Sequence, residues 1–282
     1  MLDIYSRYRK YGLTPEVISS FQAIIRDYYR DHGRIFPWRE TTDPYHILVS
    51  EFMLQQTQTS RVIEKYVEFI KTFPDVYKLA QSPFREVLRL WQGLGYNRRA
   101  LALHNTAGEI AERYNGRVPD DPVLLRQLPG IGEYTASAMM AIAFNKPAVV
   151  IDTNIRTVYL YFFFREMETV GKSDIMPLIE ATIDKYSPRE WYYALFDYGS
   201  MLKQENKDLE AGKRRKQGTF RGSDRELRGN ILRLLLDTEI MTEDQLLDQL
   251  PSDKDRVRRI IAQLNQEGLL DSSDGFVRIR QQ

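Results

Sequence analysis

From Pro15 to about Leu202, apolar residues recur at three- and four-residue intervals, the spacing of one face of an α-helix. The pattern predicts helices over residues 16–29, 44–55, 59–72, 83–91, 98–114 and 122–128. Short breakers stand between them: Asp75, Asn115 with Gly116, Pro119 with Asp120, and Pro147. No pair of alternating apolar and polar runs calls for a sheet in this region, so the bulk of the chain reads as an all-α domain of many short helices.

The pattern changes near residues 212–222, where glycine, lysine and arginine displace apolar residues. Beyond this linker the periodicity resumes. Residues 224–237 read as a helix, and 242–250 as a second opened by Thr242 and Gln245 at capping-box spacing. Residues 252–266 read as a third helix, stopped by Gly268. Residues 269–280 carry two strand-like runs around Ser272, Ser273, Asp274 and Gly275, a hairpin signature. Three helices and a hairpin suggest a small winged helix-turn-helix (α+β) unit. Its third helix carries Lys254, Arg256, Arg258 and Arg259, as a DNA-recognition helix would, but Asp253 and Asp255 offset much of that charge. DNA contact and protein contact both remain open for it. The expected organisation is an N-terminal arm (1–20), a helical domain (21–211), a basic linker (212–223) and the winged unit (224–282).

Composition then narrows the chemistry. With 43% hydrophobic and 28% charged residues, and no apolar run long enough to cross a bilayer, the chain reads as an ordinary globular protein with no membrane partner, and residues 1–10 do not resemble a signal sequence. A cytoplasmic, nucleoid-associated monomer is expected. The absence of cysteine excludes disulfides, thiolate metal sites, iron–sulfur clusters and cysteine nucleophiles together. His32, His46 and His104 are too scattered for a zinc site, so no metal and no cofactor is expected. Because the net charge is only +1, nucleic-acid binding requires local clustering. Between Lys203 and Arg221 lie Lys207, Lys213, Arg214, Arg215 and Lys216, against Glu205, Asp208 and Glu210. This segment reads either as a DNA contact or as a solvated loop.

Three places carry candidate chemistry. In the stretch LPGIGEYTASAM, Leu128 to Met139, Gly130 and Gly132 force a tight turn that opens a helix. Such a turn either joins two helices or aims bare amides at a phosphate, and Leu125, Leu128 and Thr135 around it favour the clamp. Glu51 has Ile47, Leu48, Leu54 and Gln55 as helical neighbours, so its carboxyl stands among mostly apolar groups. Burial of that kind raises a carboxyl pKa toward the range of a general acid, although a Glu at the edge of an amphipathic face would look the same. Asp152 lies between an apolar run and a helix start, where it reads as an N-cap with a depressed pKa. An ionised Asp beside a protonated Glu is the pairing used in glycoside cleavage.

The segments FPWR (36–39), DPYHILVSEFMLQQTQ (43–58), LWQGLGYNRRA (90–100), LPGIGEYTASA and VIDTNIRTV (150–158) occur in the order and spacing of the HhH-GPD DNA glycosylases. The chain most resembles the MutY-type adenine glycosylases, over about residues 20–202. The resemblance implies an all-α helix-hairpin-helix (HhH-GPD) fold of two helical subdomains, acting on double-stranded DNA that contains a mismatch or damaged base. It implies that Glu51 protonates the leaving purine, that Asp152 stabilises the oxocarbenium ion, and that Asn154 and Tyr134 stand in the active site. Where bifunctional relatives carry a lysine nucleophile this chain has Tyr134, which implies a monofunctional enzyme. Gln55, Gln56 and Tyr96 match residues that fill the duplex or surround the opposite base, and Leu128, Gly130, Gly132 and Thr135 match the phosphate-binding hairpin.

Three departures from the family stand out. The four cysteines that usually hold an iron–sulfur cluster are missing, Lys203 stands about where the first would fall, and the basic cluster Lys213, Arg214, Arg215 and Lys216 is expected to keep the DNA contact instead. The larger C-terminal domain that helps read 8-oxoguanine is replaced by the small winged unit. Asn97 follows GLGY where the family has a second tyrosine, a substitution shared with mismatch thymine glycosylases. The expected activity is therefore removal of adenine opposite guanine or 8-oxoguanine. Thymine or uracil removal and a non-enzymatic DNA-binding role are the alternatives.

Overall fold

A computed structural model of the chain describes residues 3–167, 169–206, 219–273 and 275–281. The chain opens with α1 (Ile4–Tyr11) and α2 (Pro15–His32), each started by a side-chain cap: Asp3 accepts the Ser6 amide at 2.8 Å, and Thr14 accepts the Val17 amide ahead of Pro15 in the first turn. The segment expected as an arm is thus mostly helical. It is also packed, because Ile4 and Tyr5 are buried and the Tyr8 ring meets Phe163 edge-on at 5.1 Å.

A short 3-10 turn (Pro37–Arg39) leads into α3 (Pro44–Leu54), α4 (Thr59–Thr72), α5 (Val76–Gln81), α6 (Phe84–Trp91), α7 (Arg98–Arg113) and α8 (Pro122–Leu125). Next come α9 (Glu133–Ala138), which runs on as a π-helical turn (Met139–Ala143), then α10 (Thr153–Phe163), α11 (Lys172–Thr182) and α12 (Pro188–Glu205). The C-terminal segment contains α13 (Asp224–Thr238), β1 (Ile240–Thr242), α14 (Glu243–Gln249), α15 (Lys254–Gln266), β2 (Leu270–Ser273) and β3 (Phe276–Ile279). Among the described residues no helix is long and apolar enough to cross a membrane.

The chain divides into two compact units. The first comprises Met1–Leu48, Pro119–Gln127 and Ile131–Arg215. Its core is an aromatic cluster in which Phe21 of α2 meets Phe162 and Phe163 of α10 at 5.2 and 5.1 Å and Trp191 of α12 at 5.8 Å. In the same unit Asp197 of α12, 2% exposed, is clasped by two arginines. Arg39 donates to both carboxylate oxygens at 2.9 Å, and Arg34 donates its backbone amide and its Nε, each at 2.8 Å. The polar end of FPWR therefore ties the segment after α2 to α12.

The second unit comprises Val49–Val118, Leu128–Gly130 and Lys216–Gln282. Phe52, Phe69, Phe73, Phe84 and Trp91 are fully buried in its helical part. Buried His104 of α7 lies 2.9 Å from the Ser82 carbonyl, and since a carbonyl only accepts, Nε2 carries the proton. The C-terminal segment in this unit has an antiparallel sheet of order β1-β3-β2, with Met241 opposite Val277 and Val277 opposite Ser272. Thr242 and Gln245 form the expected reciprocal capping box. This segment packs on the helices of its own unit. Arg85 and Arg89 of α6 donate to the Leu236 carbonyl at 2.5 and 3.1 Å, satisfying the C-terminal turn of α13, and Arg85 also pairs with Glu239.

Candidate active site

Helix α3 is buried on nearly every side, so its polar residues are informative. Glu51 is 8% exposed and lies between buried Ser50 and Phe52, with Ile47 and Leu48 one turn back. A carboxyl carried on such a helix is held in a low-dielectric setting, the environment the sequence pattern predicts for it. Asp43 starts α3 by accepting the Tyr45 amide at 2.8 Å.

Past the end of α3 the chain turns through Gln55 and Gln56, and one guanidinium organises that turn. Arg99, at the start of α7, sends Nη1 to the carbonyls of Phe52, Met53 and Gln55 at 2.8, 3.0 and 2.5 Å. Its Nη2 reaches the Thr57 hydroxyl at 2.9 Å and the carbonyls of Leu94 and Gly95 at 3.2 and 3.1 Å. The LQQTQ turn and the GLGY loop are thereby pinned to a single group. Burial lowers the Arg99 pKa to about 10, which leaves it charged at neutral pH. The guanidinium also lies 5.4 Å from the centroid of the Tyr96 ring.

Gln56 and Tyr96 both sit in the left-handed region, with φ of 55° and 49°, and Tyr96 is 49% exposed. That conformation costs a non-glycine residue about 1–3 kcal/mol and persists only where the surroundings enforce it. Here Arg99 enforces it. The sequence marks Tyr96 and the glutamines but not Arg99. The signal was the second arginine of GLGYNRRA, whose role is legible only once six acceptors converge on it.

Leu128 and Gly130 form the turn of the LPGIG stretch. Gly130 has φ 75°, and a Cβ there would stand 2.7 Å from Ala102 Cβ and 2.9 Å from Phe52 Cε1, so glycine is required twice over. Gly132 differs from expectation: its φ of −90° is open to any residue, and it serves as the N-cap of α9. Thr135 of α9 is buried, whereas Tyr134 is 38% exposed.

Asp152 is the N-cap of α10, as the sequence predicts. Its Oδ1 accepts the Ile155 amide at 2.7 Å, and its Oδ2 accepts the Asn154 side-chain amide at 3.2 Å. The expected depression of its pKa does not follow. Burial pushes the carboxyl above its ordinary value, and this outweighs the Ile155 amide, Lys203 and Asn154, all of which pull it down.

The basic cluster Lys213, Arg214, Arg215 and Lys216 lies outside the described residues. Lys203, expected to belong with it, is instead part of α12, and its ammonium donates to Thr153 Oγ1 at 2.8 Å. The basic face expected on α15 is also differently disposed. Lys254 pairs with Asp248, Arg256 and Arg259 with Asp224, and Arg258 with Glu243 and Asp255. These charges are matched within the segment rather than presented unpaired.

Residues 49–176 match the HhH-GPD superfamily base excision DNA repair protein family. Over 268 residues, 87% of this chain and 91% of the relative, the sequence is 33% identical to an adenine DNA glycosylase of Mycolicibacterium smegmatis. The chain belongs to the HhH-GPD superfamily. It is also 34% identical over 186 residues to an adenine DNA glycosylase of Buchnera aphidicola subsp. Baizongia pistaciae, covering 64% of this chain and 52% of that protein. The chain thus spans about half the length of several curated relatives it matches. Among solved structures, a thermostable thymine-DNA glycosylase superposes with a TM-score of 0.61 at 27% identity, covering 69% of this chain and 94% of that one.

Within this HhH-GPD protein the iron–sulfur cluster implied by the resemblance has no ligands, because the chain contains no cysteine. The residues present do not fit such a group, and Lys203, expected to stand about where the first ligand would fall, is directed at Thr153.

Proposed function

We propose that this protein is a monofunctional DNA glycosylase of base excision repair, which extrudes a mismatched adenine opposite guanine or 8-oxoguanine and hydrolyses its N-glycosidic bond. The observation that carries this reading is Asp152, aimed by two hydrogen bonds at the head of α10, in a chain that keeps a buried Glu51 and is 33% identical over 268 residues to an adenine DNA glycosylase.

In this reading Glu51 donates its proton to a ring nitrogen of the leaving purine. The C1′–N bond breaks with its electron pair departing on the base, and the Asp152 carboxylate opposes the positive charge left on the sugar. Water then adds its oxygen to C1′ and returns a proton to Glu51, which closes the cycle. Asn154 holds the second oxygen of Asp152 in place. Tyr134, with no amine to attack C1′, leaves an intact abasic strand as product. The gap left by the extruded nucleotide costs a few kcal/mol of stacking and pairing, and Gln55, Gln56 and Tyr96 are proposed to fill it. Strain at Gln56 and Tyr96 supports that role, since unfavourable backbone is retained where a side chain must be presented. Leu128, Gly130, Gly132 and Thr135 are proposed to hold a backbone phosphate, a contact that positions without reading sequence. Lys213, Arg214, Arg215 and Lys216 add electrostatic grip. Such an enzyme works on the nucleoid in the cytoplasm.

Thymine removal from a mismatch is the second reading, favoured by Asn97 and by the 27% identity to the thymine-DNA glycosylase. For either base the catalytic test is Glu51→Gln. This variant should bind the substrate duplex as the wild type does and release base about 10² to 10⁴ times more slowly. Wild-type excision by Glu51→Gln removes that residue from the mechanism.

A further inference from the structure

Helices α10 and α12 approach unusually closely at one point. A Cβ on Gly199 would collide with the carbonyl of Asn154, so only glycine lets the α12 backbone lie against the first turn of α10. Lys203 follows four residues later, on the same face of α12. Its Nζ meets Thr153 Oγ1 at 2.8 Å, and Thr153 is the first residue of α10, immediately after Asp152. The glycine sets the distance, and the lysine reaches across it.

We infer that Lys203 is a positioning residue for Asp152: anchored on Thr153, it fixes the first turn of α10 and sets a positive charge at the residue next to the carboxylate that caps it. A buried carboxylate that must face a cationic sugar needs such support, because burial alone favours its neutral form. Among the described residues, the positive charge of Lys203 pulls Asp152 back toward ionisation. Several other charges on α10 and on the elements packed around it have partners of their own. Arg156 donates to the Val170 carbonyl, Arg165 pairs with Asp3, and Asp197 is taken up by Arg34 and Arg39. On α11, Lys172 pairs with Glu133, Asp174 caps Gly171, and Glu180 is exposed. In this proposal the cation works on the first turn of α10 rather than on a DNA phosphate.

This inference rests on the glycosylase reading, and the two are separable in one experiment. Single-turnover base release from an adenine·8-oxoguanine duplex is measured against pH for the wild type, Lys203→Met and Lys203→Arg, alongside duplex affinity and thermal melting. Lys203→Met should release base about tenfold more slowly or worse, since a small misplacement of a reacting group costs rate steeply. Its affinity should stay within about twofold, and its acid limb should move to higher pH because the carboxylate loses its cation. Lys203→Arg should restore rate and limb. Should Lys203→Met fail to fold, Lys203→Gln, which keeps a donor for Thr153 but no charge, should show the same slowed and shifted profile. An unchanged rate and limb overturns the inference while leaving the enzyme intact. So does a loss confined to affinity, which marks a phosphate contact, or borohydride trapping that requires Lys203, which marks an amine nucleophile. A wild type that releases no base from this duplex or from its thymine, uracil and guanine counterparts removes the glycosylase reading and the inference with it.

Discussion

At the scale of single residues, two buried aspartates are treated oppositely by the fold. Asp197 is buried, yet Arg39 and Arg34 more than offset that burial and hold its carboxyl below the ordinary 3.8. A depressed folded pKa contributes stability that is complete above the unfolded value and is lost as pH falls through the folded one. Asp197→Asn should therefore destabilise the protein by about 3–5 kcal/mol at neutral pH, by stranding Arg39. In denaturant titrations the deficit should shrink in acid. Asp152 runs the other way. Its folded pKa is raised, so any stability it lends is present in acid and lost as pH rises, and at neutral pH its ionised form is a liability to the fold. Asp152→Asn keeps an N-cap but removes the charge. It should melt at a higher temperature than the wild type at neutral pH while releasing almost no base; a lower melting temperature would show that the charge is not strained there.

At the scale of elements, helices with a strong apolar stripe were legible from sequence. Residues 59–72 are α4 as expected, and the ends of α2, α3, α6 and α7 fall within three residues of the periodicity. Short elements were not. Helix α5 is six residues long and β1 three, too few for a period to register, and β1 exists only because β3 offers it a pairing edge. The N-cap at Asp152 and the turn at Gly130 were readable because they depend on local backbone. Arg99, Gly199 and the true environment of Lys203 were not, since each acts on residues 40 to 50 positions away. The α15 arginines show the same limit: sequence displays their charge but not the acids that face them. Replacing Arg258 and Arg259 together by alanine should leave the salt dependence of DNA affinity unchanged. A drop in the log–log slope of about one per lost phosphate contact would instead place α15 on DNA.

For the whole molecule, overall charge says little, since +1 hides an uneven distribution. Residues 224–282 hold twelve acidic and nine basic side chains, while the run from Lys213 to Lys216 is wholly basic. An acidic C-terminal segment clamped to α6 by Arg85 and Arg89 fits a structural attachment better than a second DNA grip. Membership of the HhH-GPD superfamily and the two differently housed carboxyls make base removal the central claim. The most direct measurement is single-turnover incubation of the wild type with duplexes carrying adenine opposite guanine, adenine opposite 8-oxoguanine, or thymine or uracil opposite guanine. Each reaction is resolved with and without alkali. Strand cleavage at the adenine, appearing only after alkali, is the predicted result. Cleavage at thymine or uracil alone would move the substrate to the second reading, and intact strands in every lane after alkali would contradict glycosylase function altogether.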